Sequence, residues 1–378
     1  MNRTPYSLAL ESRVSAGPAT YRFHTADGVV SKESFRRPEL LLLEHLWGTD
    51  LGDLLVVEAN YGVVGTVLAT AAESVHATES SARAATLCDR NANENDADAS
   101  VSVVADLETL DGRFDTVAYA PKPFTPVAVG KQRAVDALSA LRPDGRLYLA
   151  SAEEEGLGRY ESALRTTGAS VREVAEDGRF RLSEATHTES SLGTDTPSFV
   201  TQRTLTPTVD GVDLSFVAAP GTFSASALDE GTRLLASAAR VDDGDRVLDL
   251  CCGYGALGAY AGRVADCELW LSDDSRVATR CAERSLRASG VDGTVVTADC
   301  VEGVAGRTFD TVLCNPPTHA GAGVLSELLG DVRGLLAPEG RLFLVHHRDL
   351  DLGVHLSRFR RVERVREGED HVVLRAIP

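Results

Sequence analysis

The chain has 378 residues, more than one ordinary domain of about 100–200 residues, and its 43% of hydrophobic residues can supply two buried cores. No apolar run approaches the roughly 20 residues of a membrane span, and Met1-Asn2-Arg3-Thr4-Pro5-Tyr6 lacks a signal-peptide pattern, so a soluble cytoplasmic protein is expected. The formal net charge is −18 and only Lys32, Lys122 and Lys131 among 38 basic residues are lysines, a composition suited to a surface hydrated in concentrated salt, where a Debye length of about 3 Å stops acidity from excluding RNA.

In chain order, the first feature is an internal repeat. Leu54-Leu55-Val56-Val57-Glu58-Ala59-Asn60-Tyr61-Gly62 parallels Val247-Leu248-Asp249-Leu250-Cys251-Cys252-Gly253-Tyr254-Gly255. Phe114-Asp115-Thr116-Val117 parallels Phe309-Asp310-Thr311-Val312, and Leu141-Arg142-Pro143-Asp144-Gly145 parallels Leu336-Ala337-Pro338-Glu339-Gly340. Three anchors in one order at near-constant offset make the chain two copies of one α/β unit. Alternating strand and helix patterns predict a mostly parallel sheet covered on both faces in each copy. The first domain is expected over 1–190 and the second over 197–378, with Glu184–Ser198, rich in Ser, Thr, Glu and Gly, as linker.

In the second copy, strands are predicted at Arg246–Leu250, Glu268–Ser272, Thr294–Thr297, Thr308–Cys314 and Arg341–His346, helices at Arg276–Ser289 and Val324–Leu336, and a last strand at His371–Ile377. Register with the first copy sets Val56 against Asp249, Asn60 against Gly253, and Ala120-Pro121-Lys122 against Asn315-Pro316-Pro317. Only the second copy keeps the polar grips, so it is the expected catalytic unit. The alternative has the first copy bind another ligand through Glu58, Glu79 and Lys122.

Gly253-x-Gly255-x-x-Gly258, between a strand and a helix and with Asp273 about 20 residues on, is formally a dinucleotide fingerprint; any adenosine-containing cofactor could use it. Asp249, just before the glycines, would repel a pyrophosphate and attract an ammonium and a sulfonium, which favours S-adenosylmethionine over NAD. Asp299, ending a strand, is placed to reach an adenine amino group. Asp249, Cys251, Gly253, Gly255, Asp273 and Asp299 are thus the candidate cofactor residues, Cys251 as part of the turn and not as a nucleophile.

Asn315-Pro316-Pro317 halts an apolar strand, because two consecutive prolines cannot continue a sheet interior, and it holds Asn315 at the strand's carboxyl end. An amide held there suits an exocyclic amino group. Asn315 and the Pro316 carbonyl are the candidate catalytic acceptors. Seven cysteines without C-x-x-C pairs predict free thiols and no metal site. The run Arg358, Arg360, Arg361, Arg364 and Arg366 reads as a solvated strand face carrying ion pairs, with RNA phosphates as the alternative partner.

The second half resembles class I methyltransferases of the Asn-Pro-Pro type, most closely the ribosomal-RNA guanine-N2 methyltransferases. The residues that carry the likeness are Ala219-Pro220-Gly221-Thr222-Phe223-Ser224, Val247 to Gly255, Phe309-Asp310, Asn315-Pro316-Pro317-Thr318-His319 and Leu374-Arg375-Ala376-Ile377. The resemblance implies tandem Rossmann-like domains with seven-stranded sheets, one of them inactive, S-adenosylmethionine as cofactor, and a guanine amino group in ribosomal RNA or an assembling ribosomal subunit as acceptor. Pro317, His319 and Phe223 are the substrate-side candidates. Thr318 stands where the family usually has an aromatic residue that would stack on the flipped base, and Phe223 could supply that face. A monomer is expected. The alternatives are a protein glutamine amide or another nucleobase amino group as acceptor, or a non-catalytic RNA-binding module.

Overall fold

The computed structural model describes residues 6–12, 17–110, 112–187 and 197–378. It divides into two compact units, Met1–Thr201 and Gln202–Pro378. The sheet of the first unit contains β1 (Asp53–Val57), β2 (Ser74–Glu79), β3 (Ser100–Val103), β4 (Phe114–Tyr119), β5 (Leu141–Ala152), β6 (Ser170–Asp177) and β7 (Phe180–Thr186), in the order β3-β2-β1-β4-β5-β7-β6. That of the second contains β8 (Arg246–Leu250), β9 (Glu268–Asp273), β10 (Thr294–Thr297), β11 (Phe309–Cys314), β12 (Leu336–His347), β13 (Arg361–Glu367) and β14 (His371–Ile377), in the order β10-β9-β8-β11-β12-β14-β13. The orders are identical: five parallel strands closed by an antiparallel pair. These are the tandem Rossmann-like units with seven-stranded sheets that the resemblance implies.

The repeated anchors have physical reasons. Asp115 and Asp310 each accept the backbone N–H that opens the neighbouring strand, at Asp53 and Arg246, both at 2.9 Å. The Pro-x-Gly anchors make room for a register shift between β4 and β5 and between β11 and β12. A Cβ at Gly340 would lie 2.9 Å from the Phe309 carbonyl oxygen and one at Gly145 3.1 Å from that of Asp115, so each chain copy needs glycine there.

Two boundaries shift from those expected. The proposed linker starts too early, because Glu184 lies within β7, accepting from Tyr148 Oη at 3.1 Å and pairing with Arg172; its residues 188–196 lie outside the described residues. Its polar composition hides a strand whose carboxylate is satisfied by its neighbours. The helix before β12 (α4, Ala322–Val332) ends earlier than predicted and β12 begins at Leu336, upstream of its bulge. The final strand β14 lies inside the sheet, and Arg361, Arg364 and Arg366 of the arginine run lie on the edge strand β13, with Arg361 and Arg375 on Glu363 and Arg364 on Glu367.

Three more helices position the site: α1 (Glu230–Ala238), α2 (Ala256–Val264) and α3 (Arg276–Ser289). Leu235, Leu257, Leu271, Ala282, Leu313 and Val345 belong to one buried cluster with them, whereas Leu328, Leu342, Leu344 and Leu356 form the core on the α4 side.

Candidate active site

The strand β8 opens into a turn with positive φ at Cys251 (60°), Gly253 (55°) and Gly255 (84°), from which α2 starts. A Cβ at Gly253 would meet nothing within 4 Å, so the turn faces open space there. At Gly255 it would lie 3.0 Å from Leu271 and Ala282, and at Gly258 2.8 Å from Leu271. The first glycine leaves room for a ligand, and the other two let α2 pack closely on β9 and α3. Asp273 ends β9 half-buried; its two oxygens accept from Gly253 N and Ser275 N, both at 2.9 Å, and each keeps a lone pair. Burial pushes its carboxyl up to about 6.

Asp249, expected to attract a ligand's positive charges, has no exposed surface with which to touch them. It is 0% exposed beneath the turn, where Oδ2 accepts from Gly258 N at 2.7 Å and braces the first turn of α2. Oδ1 is buried with no hydrogen-bond partner, and burial pushes the carboxyl up to about 7. The reason is register: Asp249 pairs with Leu271 and Leu313 in the sheet interior. Its charge can act on the turn only through space. Between 3.8 and about 7 the folded chain holds a proton at Asp249 that the unfolded chain has released, so this residue's contribution to stability falls as pH rises through that window, at about 1.4 kcal/mol per pKa unit. Asp249→Asn keeps an oxygen for Gly258. It is expected to match the wild type in urea melts at pH 4 and to exceed it progressively up to neutral pH; a constant difference would contradict the assignment.

Cys251 belongs to the turn through its backbone, with φ 60°. Its thiol hydrogen-bonds Cys314, and that bond and burial push its pKa well up, so the side chain turns to the neighbouring strand and only the backbone shapes the turn. Burial likewise pushes up the Cys252 thiol, and neither is a nucleophile. Asp299 is 2% exposed, a buried acid just beyond β10.

The acceptor side is built around Asn315, half-buried at the carboxyl end of β11. Its Nδ2 donates to Thr232 Oγ1 at 2.9 Å and to Asp229 Oδ2 at 3.3 Å. The same Asp229 oxygen accepts from Thr232 N at 2.8 Å and from Thr232 Oγ1 at 3.1 Å, capping α1. A carboxylate only accepts, so this network fixes which end of the amide faces it and leaves Oδ1 to accept elsewhere. The Pro316 carbonyl accepts from Thr318 N at 2.9 Å and retains its second lone pair.

Pro317 is half-buried, while Thr318 and His319 are exposed. Phe223, 55% exposed beside Ser224 with φ 48°, presents a bare aromatic face. Sequence reading missed Asp229, Thr232 and His371. A Cβ at Gly231 would lie 2.9 Å from the His371 ring, which stands edge-on to His347 at 5.7 Å, so His371 borders the Asp229 end of this network. Asp229-x-x-Thr232 ahead of an apolar helix was legible as a cap. Its hold on a residue 86 positions away was not.

In the first unit the corresponding groups are turned on one another. Asn60 N donates to Glu79 at 2.8 Å, as Gly253 N does to Asp273, but Asn60 Nδ2 is spent on the Val30 carbonyl at 2.9 Å. Lys122 Nζ lies 2.5 Å from Glu79 and 3.2 Å from Glu58, and Arg133 lies 2.8 Å from Glu58. Glu58, Glu79 and Lys122, the alternative ligand grips, satisfy each other.

Among the described residues, no helix is long and apolar enough to cross a membrane, and no group of three or more His, Cys, Asp or Glu is arranged to hold a metal ion. The family model described as methyltransferase small domain matches twice, over residues 20–184 and 213–375. A ribosomal RNA small subunit methyltransferase C of Actinobacillus succinogenes is 37% identical over 137 residues, covering 35% of this chain and 41% of that protein. One of Pseudomonas aeruginosa is 32% identical over 213 residues, covering 55% and 63%. The chain thus spans between two fifths and two thirds of the length of these relatives. The T. thermophilus 16S rRNA N2 G1207 methyltransferase, solved in complex with AdoMet and guanosine, superposes with a TM-score of 0.77 at 24% identity over 100% of both chains, which shows the fold.

Proposed function

Since this chain belongs to the methyltransferase small domain family, we propose that it is an S-adenosylmethionine-dependent methyltransferase whose acceptor is the exocyclic N2 of a guanine in ribosomal RNA. The second unit is its catalytic unit and the first is not. The observation that carries this reading is the orientation of Asn315, whose Nδ2 is occupied by Asp229 and Thr232 and whose Oδ1 is left to accept.

The residues fit the cofactor: open space at Gly253, a half-buried acid with spare lone pairs at Asp273 for the ribose hydroxyls, a buried acid at Asp299 for the adenine amino group, and the Asp249 carboxyl beneath the turn. When bound, S-adenosylmethionine supplies an electrophilic methyl group. A guanine amino lone pair is delocalised into the ring. Asn315 Oδ1 and the free lone pair of the Pro316 carbonyl accept its two N–H bonds and localise that lone pair on nitrogen. The remaining requirement is alignment, and rigid prolines on a strand end provide it. No general base is needed, because the released proton can pass to solvent beside exposed Thr318 and His319. Phe223 supplies the aromatic face that Thr318 lacks.

Incubation with methyl-tritiated S-adenosylmethionine and undermethylated ribosomal subunits is expected to label the RNA fraction, with mass mapping returning N2-methylguanosine. Label confined to ribosomal protein would overturn the RNA reading in favour of a glutamine amide. Within the same site, Asp229→Ala is expected to cost about 0.5–2 kcal/mol of stability through the lost cap. It should also lower turnover by freeing the Asn315 amide to rotate, with cofactor affinity unchanged by calorimetry; unchanged turnover would reduce Asp229 to a helix cap.

A further inference from the structure

The carboxyl end of β12 carries a second, unassigned concavity. It has a volume of about 490 Å³, within the range of small-molecule sites, and its lining includes His346, Arg348, Leu356, Phe359, Val362 and Arg364. Leu344 pairs with Cys314, and His346 follows Leu344 by two residues, so the cavity begins on the strand next to Asn315, at a distance on the order of 10 Å by strand geometry. It opens on the α4 side of the sheet, since Leu356 and Phe359 pack with Leu328 and Leu344, whereas Asn315 is gripped by α1.

Three features specify an occupant. Part of the lining is apolar, with Phe359 and Leu356 buried and Val362 exposed. Arg348 and Arg364 line the cavity with a single acid, Asp351, whose Oδ1 accepts from Gly353 N at 2.8 Å, in a segment, residues 346–378, that holds seven arginines against six acids in a chain of net charge −18. The Arg364 partner, Glu367 at 2.7 Å, is an exposed one worth at most about 1 kcal/mol, so a phosphate can replace it. Finally, His346 is 8% exposed and its Nδ1 faces the His347 carbonyl oxygen at 2.8 Å. That contact places the neutral ring's proton on Nδ1 and leaves Nε2 to accept from a ligand.

We propose that this cavity holds one unpaired nucleotide flanking the target guanine, its base against Phe359 and Val362 with an edge N–H on His346, and its phosphate between Arg348 and Arg364. The inference rests on the RNA reading above. An apolar base site also gives an acidic protein RNA affinity that salt does not screen away.

The test is binding of the full chain to a fluorescent seven-nucleotide single-stranded RNA with a central guanine, and to the same strand made abasic at each flanking position in turn. One position is expected to weaken wild-type binding by roughly 5- to 150-fold, the range of base stacking. V362W, which fills the cavity from an edge-strand position, should bind the intact strand as weakly as the wild type binds the abasic one and show no further loss with it. R348E/R364E should weaken every strand by a similar factor. Calorimetric S-adenosylmethionine binding by V362W at wild-type affinity controls for folding. Equal binding of all abasic strands, or wild-type binding by V362W, overturns the proposal. Methyl transfer to rRNA by the wild type in parallel shows whether the RNA reading itself survives that outcome.

Discussion

Asn315→Ala is expected to turn over about 10²–10³ more slowly than the wild type, a loss of about 2.7–4 kcal/mol of transition-state stabilisation, while binding S-adenosylmethionine normally. The magnitude follows from preorganisation. Asp229 and Thr232 hold the amide before any substrate arrives, so Oδ1 needs no reorientation during the reaction. Alanine removes the acceptor and leaves the turn of Gly253 and Asp273 untouched. Single-turnover methyl transfer and calorimetric titration of the cofactor separate the two effects. Equal losses in rate and cofactor affinity would mean that the substitution had collapsed the turn, and an unchanged rate would remove Asn315 from the chemistry.

The second large effect lies in the first unit. Lys122→Met is expected to destabilise it by about 3–5 kcal/mol in urea unfolding, because it leaves two buried carboxylates with one cation. Burial alone would lift both Glu58 and Glu79, and it is Arg133 and Lys122 that hold the Glu58 carboxyl below the usual range. Met preserves the stem's packing, so the loss reports the charge. Adding Glu79→Gln should recover a large part of it, since the amide oxygen still accepts from Asn60 N, Ser80 N or Ser81 N. No recovery would mean that Lys122 acts through packing. A marginal initial loss would mean that the ion network contributes no net stability.

The duplication, the strand ends and the glycine turn were legible in the sequence because each depends on local stereochemistry. Two prolines stop β11 wherever it lies, and Gly253 and Gly255 permit positive φ without reference to the remainder of the chain. The edge strand β13 was legible as an ion-paired face for a similar reason, its charges alternating along a short segment. Glu184 was missed because a polar residue in a strand looks like a loop until its partners Tyr148 and Arg172, on other strands, are known.

By itself, then, the amino-acid order determined two α/β units, one with an intact turn and an amide at a strand end, because these are properties of neighbours along the backbone. Only the tertiary structure decided that Asp249 lies beneath the turn, that Asp229 orients Asn315 from 86 residues away, and that Lys122 closes on Glu79 from 43. Those contacts depend on which strands and helices become neighbours, and burial then decides whether a carboxylate braces, orients or neutralises; no local pattern encodes either.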